Sequence, residues 1–243
     1  MISRKLQLIA ALLILGGCSP AQTGTSAASA VDCGPADQSA TFMTPVEKNT
    51  TLQVTIDSRF TSDQVNSILA AIDVWNQYGR NTLGHPLFNA SNGSVNESES
   101  PQKAGDCSFT GDPSAFPIFM ETSAAKWTAL NLTKFNPAVT IRCSGGATLA
   151  SQTMLINPSY TQKEEFMSVV LHELGHALGL DHSCTSAAAQ TGFPACASLA
   201  DSHPYNQAVM NPMLHPNLAN SNLTEKKENL RTNDTERATC RLN

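Results

Sequence analysis

Three histidines and a glutamate are spaced along residues 169–183 in a way that can hold a metal ion. The run reads Val-Val-Leu-His-Glu-Leu-Gly-His-Ala-Leu-Gly-Leu-Asp-His-Ser, which has the pattern H-E-x-x-H-x-x-G-x-x-H. Residues four apart share one face of a helix, so His172 and His176 can converge on one ion. Glycine tolerates the left-handed conformation that ends a helix, so Gly179 lets the chain turn back and bring His182 to the same ion.

This set of side chains is suited to hydrolysis. Three neutral imidazoles leave one of the four zinc positions open for a water, whose pKa then falls towards roughly 7. Glu173 adjoins the first histidine and is the predicted general base that takes the proton of that water. The pentapeptide H-E-x-x-H can also occur by chance on a surface helix. The neighbouring residues are apolar, which favours a buried helix whose polar groups need a partner such as a metal.

The run from His172 to Ser183 resembles the metzincin clan of zinc metallopeptidases, and its matrixin branch in particular. The clan has a methionine turn downstream of the third histidine, and Ala208-Val209-Met210-Asn211-Pro212 matches that turn. The resemblance implies that Met210 packs beneath the zinc without ligating it. Pro212 stands where other branches carry a zinc-ligating tyrosine, which favours the matrixin branch.

The resemblance implies an α+β, metzincin-like fold. That fold has a mixed twisted β-sheet, two long helices above an active-site cleft, and a small irregular C-terminal subdomain with a closing helix. It also implies a zinc-dependent endopeptidase that hydrolyses internal peptide bonds of extracytoplasmic proteins by a metal-activated water. Calcium is implied by family analogy alone, since the sequence has no EF-hand-like run of oxygen ligands.

In this family the substrate adds a strand to the edge of the sheet. The segment 144–150 is one candidate for that edge, although its glycines fit a bulge or a turn equally well. Met213, Leu214 and His215 follow the methionine turn and are expected to help wall the pocket for the residue after the cleaved bond.

Two other functions remain open at this point. One is a surface binding module that retains a zinc site, and the other is a peptidase dedicated to cell-wall peptides. Glu173 disfavours the first, because a structural zinc site is closed and has no use for a base. His85, His203 and His215 lack the spacing of a second metal site and are interpreted as surface or structural residues.

The amino-terminal residues predict export and a lipid anchor. Arg4 and Lys5 precede an apolar run at 6–15, which is typical of a secretory signal and too short to span a bilayer. The following Leu-Gly-Gly-Cys resembles the bacterial lipobox, in which the cysteine, here Cys18, receives the lipid. An ordinary cleaved signal with a coincidental cysteine is the alternative. By analogy, Ser19 favours sorting to the outer membrane, with the enzyme facing the periplasm or the cell surface.

These features divide the chain into three predicted parts. Residues 1–17 are the lipoprotein-type signal peptide, residues 18–44 a lipidated flexible tether, and residues 45–243 the zinc metallopeptidase domain. The net charge of −5 and the absence of a basic cluster argue against nucleic acid as a partner. The expected partners are a protein or peptide substrate and the membrane, with the domain itself a monomer.

The cysteine count agrees with an oxidising compartment. Of seven cysteines, assigning Cys18 to the lipid leaves six, which allow 15 disulfide connectivities. Cys184 and Cys196 are the favoured pair, because they close a short loop after the third histidine. Cys107 with Cys143, and Cys33 with Cys240, then follow by elimination, although the sequence also allows the other connectivities. The surroundings of Cys33 also faintly resemble the matrixin cysteine switch, in which a thiol caps the zinc, but the residue order differs and a thiol would be left over.

Hydrophobic periodicity and turn residues give an outline of the elements. The predicted order is a strand at 52–57, a helix capped by Ser62 or Asp63, a surface loop at 88–114, strands at 116–121, 138–143 and 153–156, the zinc helix with a Thr161/Glu164 capping box, and a polar closing helix at 224–240.

Overall fold

A computed structural model describes residues 43–109, 112–133, 135–145, 147–161, 165–186, 194–212 and 227–243. The helices and strands, in chain order, are β1 (Leu52–Asp57), α1 (Ser62–Tyr78), β2 (Phe88–Gly93), β3 (Ala115–Met120), α2 (Ala124–Ala129), β4 (Ala138–Gly145), β5 (Thr148–Ile156), α3 (Phe166–Ala177), α4 (Pro204–Gln207) and α5 (Thr232–Leu242). Within these residues, no helix has the length and apolar character needed to cross a membrane. The predicted signal peptide, Cys18 and Cys33 lie outside the described residues, as do Met213, Leu214 and His215.

The sheet is mixed, which confirms the predicted α+β architecture. Its strand order is β2-β1-β3-β5-β4. The first three pairings are parallel, and β4 runs antiparallel to β5 at one edge. Helices α1 and α3 pack against each other, and the indole Nε1 of Trp75 donates a hydrogen bond of 3.0 Å to the carbonyl of Leu171.

The prediction of a loop throughout 88–114 is wrong at its start. Residues Phe88–Gly93 form strand β2, in parallel register with β1. Only Phe88 of this strand is buried, and the other residues are polar, small or glycine. An edge strand needs no second apolar face, so β2 lacks the alternation by which a strand is recognised in a sequence.

Both predicted helix caps differ from the structure. The residue that caps α1 is Thr61, and it forms a reciprocal capping box with Gln64. Helix α3 begins at Phe166 without a side-chain cap. Thr161 instead ends a short 3-10 turn, where its hydroxyl donates to the Pro158 carbonyl and accepts from the Gln64 amide. The predicted partner Glu164 lies outside the described residues.

Two disulfides agree with the expected pairing. Cys107 is bonded to Cys143 on the edge strand β4, and Cys184 is bonded to Cys196 in the loop after the third histidine. Cys240 on α5 is also disulfide-bonded, while its expected partner lies outside the described residues. Helix α5 closes the fold, but the predicted helix at 224–240 starts too early. Residues 227–231 are not helical, because α5 begins at Thr232, where the Arg231 amide donates to Asp234, and residues 224–226 are not described.

Candidate active site

The three histidines of the motif lie together at the carboxyl-terminal half of α3. His172 and His176 are buried on that helix, which ends at Ala177. Gly179 then takes a positive φ of 93°, so the chain reverses as expected and returns His182 to the same point. The ring centroids are 4.7, 4.9 and 5.2 Å apart, and one possible ligand atom from each ring lies within 4.8 Å of the others.

Backbone carbonyls select the nitrogen that each helical histidine offers to a metal. Nδ1 of His172 lies 2.8 Å from the Val209 carbonyl, and Nδ1 of His176 lies 2.7 Å from the Leu180 carbonyl. A carbonyl can only accept a hydrogen bond, so each Nδ1 carries the proton. The Nε2 atoms are left with free lone pairs, and the rings are held in place for ligation.

Burial keeps these imidazoles neutral. It lowers the pKa of His172 to about 3 and the pKa of His176 well below its ordinary value, and repulsion between the rings lowers both further. Burial also lowers the pKa of His182. Three neutral, convergent nitrogen donors are the set that Zn²⁺ prefers in a catalytic site with an open position. The side chains therefore fit a zinc ion.

Glu173 is buried beside this triad. Burial raises the pKa of its carboxyl group to about 7, although hydrogen bonds from Thr140 act in the opposite direction. Its Oε2 atom has no hydrogen-bond partner among the described residues. The Thr140 hydroxyl also donates to the Glu173 backbone carbonyl at 3.0 Å, which ties α3 to β4 at this position. A buried carboxyl of this kind can hold or release a proton near neutral pH.

The triad and Glu173 open into a cleft with a volume of about 530 Å³. Its lining includes the residues from Asn136 to Thr140, which lead into and begin β4, and also Asp181 and Pro212. Within the candidate edge segment 144–150, Ser144 and Gly145 end the edge strand β4 after a register shift, and residues 148–150 begin β5; none of these residues lines the cleft. A second cavity of about 640 Å³ is lined by none of the triad residues, so the chemistry belongs to the smaller cleft.

The methionine turn packs directly against α3. Met210 is fully buried, and a Cβ atom added at Gly175 would overlap its Sδ atom. The Met210 carbonyl accepts a 2.8 Å hydrogen bond from the Ser183 amide, which connects the turn to the loop that carries the third histidine.

Two buried charges on α5 support the site, and the sequence interpretation missed both. Asp234 accepts hydrogen bonds from the Val209 and Met210 amides at 2.9 and 3.1 Å. Arg237 donates to the carbonyls of Asp181 and His182 at 2.9 and 3.3 Å. The two residues are three apart and therefore share one helix face. That spacing was the available signal, but charges on a polar helix usually indicate a solvated face.

Comparison with known protein families identifies the family of this chain. Residues 52–193 match the family described as matrixin. The chain belongs to the matrixin family. As a matrixin it is a zinc metalloendopeptidase, and its catalytic cofactor is Zn²⁺.

This matrixin is also similar to several solved structures. One is high choriolytic enzyme 1, a hatching enzyme zinc-protease from Oryzias latipes (medaka fish), with 12% identity, a TM-score of 0.40, and coverage of 78% of this chain and 88% of that chain. Another is myroilysin, with 11% identity, a TM-score of 0.35, and coverage of 80% of this chain and 93% of that chain. Comparison with curated protein sequences found no match.

The other histidines stand apart from the zinc site of the matrixin. Nδ1 of His85 lies 2.9 Å from the Pro86 carbonyl, and the His203 side chain accepts from the Tyr205 amide at the start of α4. Among the described residues, the triad is the one group of three His, Cys, Asp or Glu side chains close enough to hold a metal. The structure thus places neither His85 nor His203 in a second site.

Asp234→Asn is expected to destabilise the matrixin and weaken its hold on zinc. The two turn amides bond to different oxygens of the Asp234 carboxylate, and an amide side chain keeps only one of these oxygens, with an NH₂ group in place of the other. One buried N–H group then loses its partner, which lowers the free energy of unfolding by about 1–3 kcal/mol. Urea unfolding and zinc titration measure the two effects. Asp63→Asn on the exposed start of α1 is the control, and equal effects of both changes would contradict a special role of Asp234.

Gly175→Ala is expected to displace the methionine turn of the matrixin. The added Cβ would overlap the Met210 sulfur and lie 3.3 Å from Cζ2 of Trp75, in a fully packed region. Overpacking of this kind costs about 1–3 kcal/mol. The midpoint temperature of thermal unfolding and the zinc affinity should both fall. Gly93→Ala, where the added Cβ meets only an ordinary 3.4 Å contact with Thr55, should change neither by a comparable amount.

Proposed function

We propose that this matrixin hydrolyses internal peptide bonds of extracytoplasmic proteins, with Glu173 as the general base. His172, His176 and His182 are the proposed zinc ligands. The observation that carries the proposal is the convergence of three neutral imidazoles, two of them buried and the third half-buried, beside a buried carboxyl group at the wall of an open cleft.

The residues of the chain supply the proton transfers in this mechanism. A zinc ion held by His172, His176 and His182 would polarise the carbonyl of the cleaved bond and make a water a better nucleophile. Glu173 takes the proton of the attacking water at its carboxylate and then gives it to the nitrogen of the leaving amine. The pKa of Glu173, which burial raises to about 7, suits both transfers. Near neutral pH its carboxylate can accept a proton, and its protonated form can donate one. Thr140 keeps the glutamate backbone in place through its hydroxyl.

The substrate is proposed to bind as a strand added to β4. Within the described sheet, β4 pairs with β5 alone, so one of its edges is open. Residues at the start of this strand line the cleft next to Glu173. An antiparallel peptide can form main-chain hydrogen bonds with this edge, while the cleft selects among side chains.

The location is proposed from the amino terminus and the cysteines. The charged and apolar residues before Cys18 support export, and the lipobox-like sequence supports a lipid anchor on a bacterial membrane, with the outer membrane as the proposed site. The buried Cys184–Cys196 disulfide and the Cys107–Cys143 disulfide suit an oxidising compartment. Residues 18–44 are the proposed tether, although Met43 and Thr44 at its end contact the domain.

The test uses the full-length chain, purified in detergent, with either an unfolded protein or purified peptidoglycan as substrate. Mass spectrometry of new amino termini identifies the cleaved bonds, with and without a zinc chelator. Chelator-sensitive cleavage within the unfolded protein supports the endopeptidase. Release of wall peptides alone would restrict the enzyme to the cell wall, and zinc binding without any cleavage would contradict the proposal and favour a binding module.

A further inference from the structure

Met43 and Thr44, which we call the amino-terminal strap, are docked at the end of the zinc helix. The Met43 amide donates a 2.9 Å hydrogen bond to the Gly179 carbonyl, and the Arg241 guanidinium on α5 donates to the Met43 carbonyl. The Thr44 and Ser144 hydroxyls share a hydrogen bond of 2.6 Å. Three separate elements therefore hold two residues that the sequence assigns to a flexible tether.

The approach of the strap depends on the glycine of the zinc motif. A Cβ atom added at Gly179 would lie 3.3 Å from the Thr44 carbonyl oxygen and 3.2 Å from Nε of Arg241. Both distances are shorter than most distances between a Cβ atom and a neighbouring heavy atom in proteins. Gly179 thus has two roles, since its positive φ turns the chain towards the third histidine and its missing side chain admits the strap.

The strap reaches the cleft that contains the zinc site. Met43 lines this cleft together with Asp181 and His182. Among the described residues of β4, only Ala138–Thr140 line the cleft. Beyond Thr140, the strand continues to Ser144, whose hydroxyl is already bonded to Thr44. A peptide added to β4 therefore has about three residues of open edge on this side before it meets the strap.

The strand direction tells which side of the substrate is affected. Glu173 lies next to Thr140, so the cleaved bond lies opposite this part of β4. A peptide antiparallel to β4 has its amino-terminal residues opposite the later residues of the strand, towards Ser144. The strap therefore meets the residues that precede the cleaved bond.

We propose that Met43 is a substrate-contacting residue that closes the cleft on the amino-terminal side of the cleaved bond. The enzyme then recognises about three residues on that side, and the outermost of them packs an apolar side chain against Met43. This inference rests on the proposed endopeptidase function and on strand addition to β4. It makes the specificity of the site depend on residues that precede the first strand.

A ladder of quenched fluorescent peptides tests the inference. All peptides share the residues after the cleaved bond and differ in carrying one to six residues before it. For the wild-type protein, kcat/KM is expected to rise up to about three residues and then to stay level. Met43→Ala keeps the backbone hydrogen bonds but removes the apolar wall. It should lower kcat/KM for the three-residue peptide with an apolar outermost side chain by about tenfold and shift the plateau to longer peptides.

Two further variants serve as controls. Met43→Leu restores an apolar side chain of similar size and should restore the wild-type profile. Leu69→Ala removes an exposed apolar side chain on α1, away from the cleft, and should leave the profile unchanged. An identical ladder for the wild type and Met43→Ala would overturn the inference and leave the endopeptidase function intact.

A binding measurement separates the inference from the proposed function. Zinc-loaded Glu173→Gln protein is titrated with the same peptides, labelled for fluorescence anisotropy, with and without Met43→Ala. Affinity that levels off at about three residues and depends on Met43 supports the inference, even if the wild type cleaves nothing and the proposed function fails. Affinity that rises with every added residue, or no binding at all, overturns it.

Discussion

Glu173→Gln is expected to lower kcat by roughly 10²- to 10⁴-fold, the usual contribution of general acid–base catalysis. The amide has nearly the same shape but cannot accept and return a proton at neutral pH. The carboxyl group is buried, and its Oε2 atom has no partner among the described residues, so the change removes a proton carrier without breaking a described hydrogen bond at that atom. Turnover of a quenched fluorescent peptide gives kcat, and elemental analysis gives the zinc content.

The zinc content makes this result interpretable. Full loading with lost turnover assigns the loss to proton transfer, whereas lost zinc would assign it to a damaged site. Glu47→Gln changes an exposed glutamate and is the matched control. Wild-type kcat in a fully loaded Glu173→Gln protein would remove this residue from the mechanism.

Removal of zinc is expected to stop hydrolysis and to lower the free energy of unfolding by about 4 kcal/mol, relative to protein with free zinc near 1,000 times its dissociation constant. The reason is that the folded chain presents three neutral imidazoles at one point, while the unfolded chain does not. Urea unfolding with and without a chelator measures the difference.

Two histidine variants show whether this stabilisation comes from the triad. His182→Ala removes one proposed ligand, so its stability should respond much less to the chelator. His85→Ala changes a histidine outside the triad and should respond as the wild type does. Equal chelator responses in all three proteins would mean that zinc stabilises the fold at another place.

The local parts of the site could be predicted from the sequence because they depend on spacing alone. His172 and His176 lie one helical turn apart, and Gly179 is a residue that readily takes a positive φ. The same is true of the Cys184–Cys196 disulfide, which closes a short loop. In each case the interacting residues are close in the chain, so their sequence spacing is enough to predict that they meet.

The distant parts of the site could not be predicted in this way. Asp234 accepts hydrogen bonds from residues of the methionine turn that precede it by at least 24 positions. Its spacing from Arg237 is equally typical of a solvated helix face. Met43 follows a polar, small-residue stretch that is typical of a tether, yet it contacts a residue 198 positions away. Strand β2 was missed because its polar residues pair with β1 through the backbone. In all three cases the structure depends on tertiary contacts, which override the local preference of the sequence.

The distance between Met43 and Arg241 along the chain has a consequence for the timing of activity. A ribosome that has completed the histidine motif still has to synthesise Asp234, Arg237 and Arg241, whose contacts complete the methionine turn, the loop of the third histidine and the strap. Contacts between such remote residues form late in folding, because a long loop must close first. The complete site is therefore expected to form only when α5 has docked on the rest of the domain, and not when the histidine motif alone has folded.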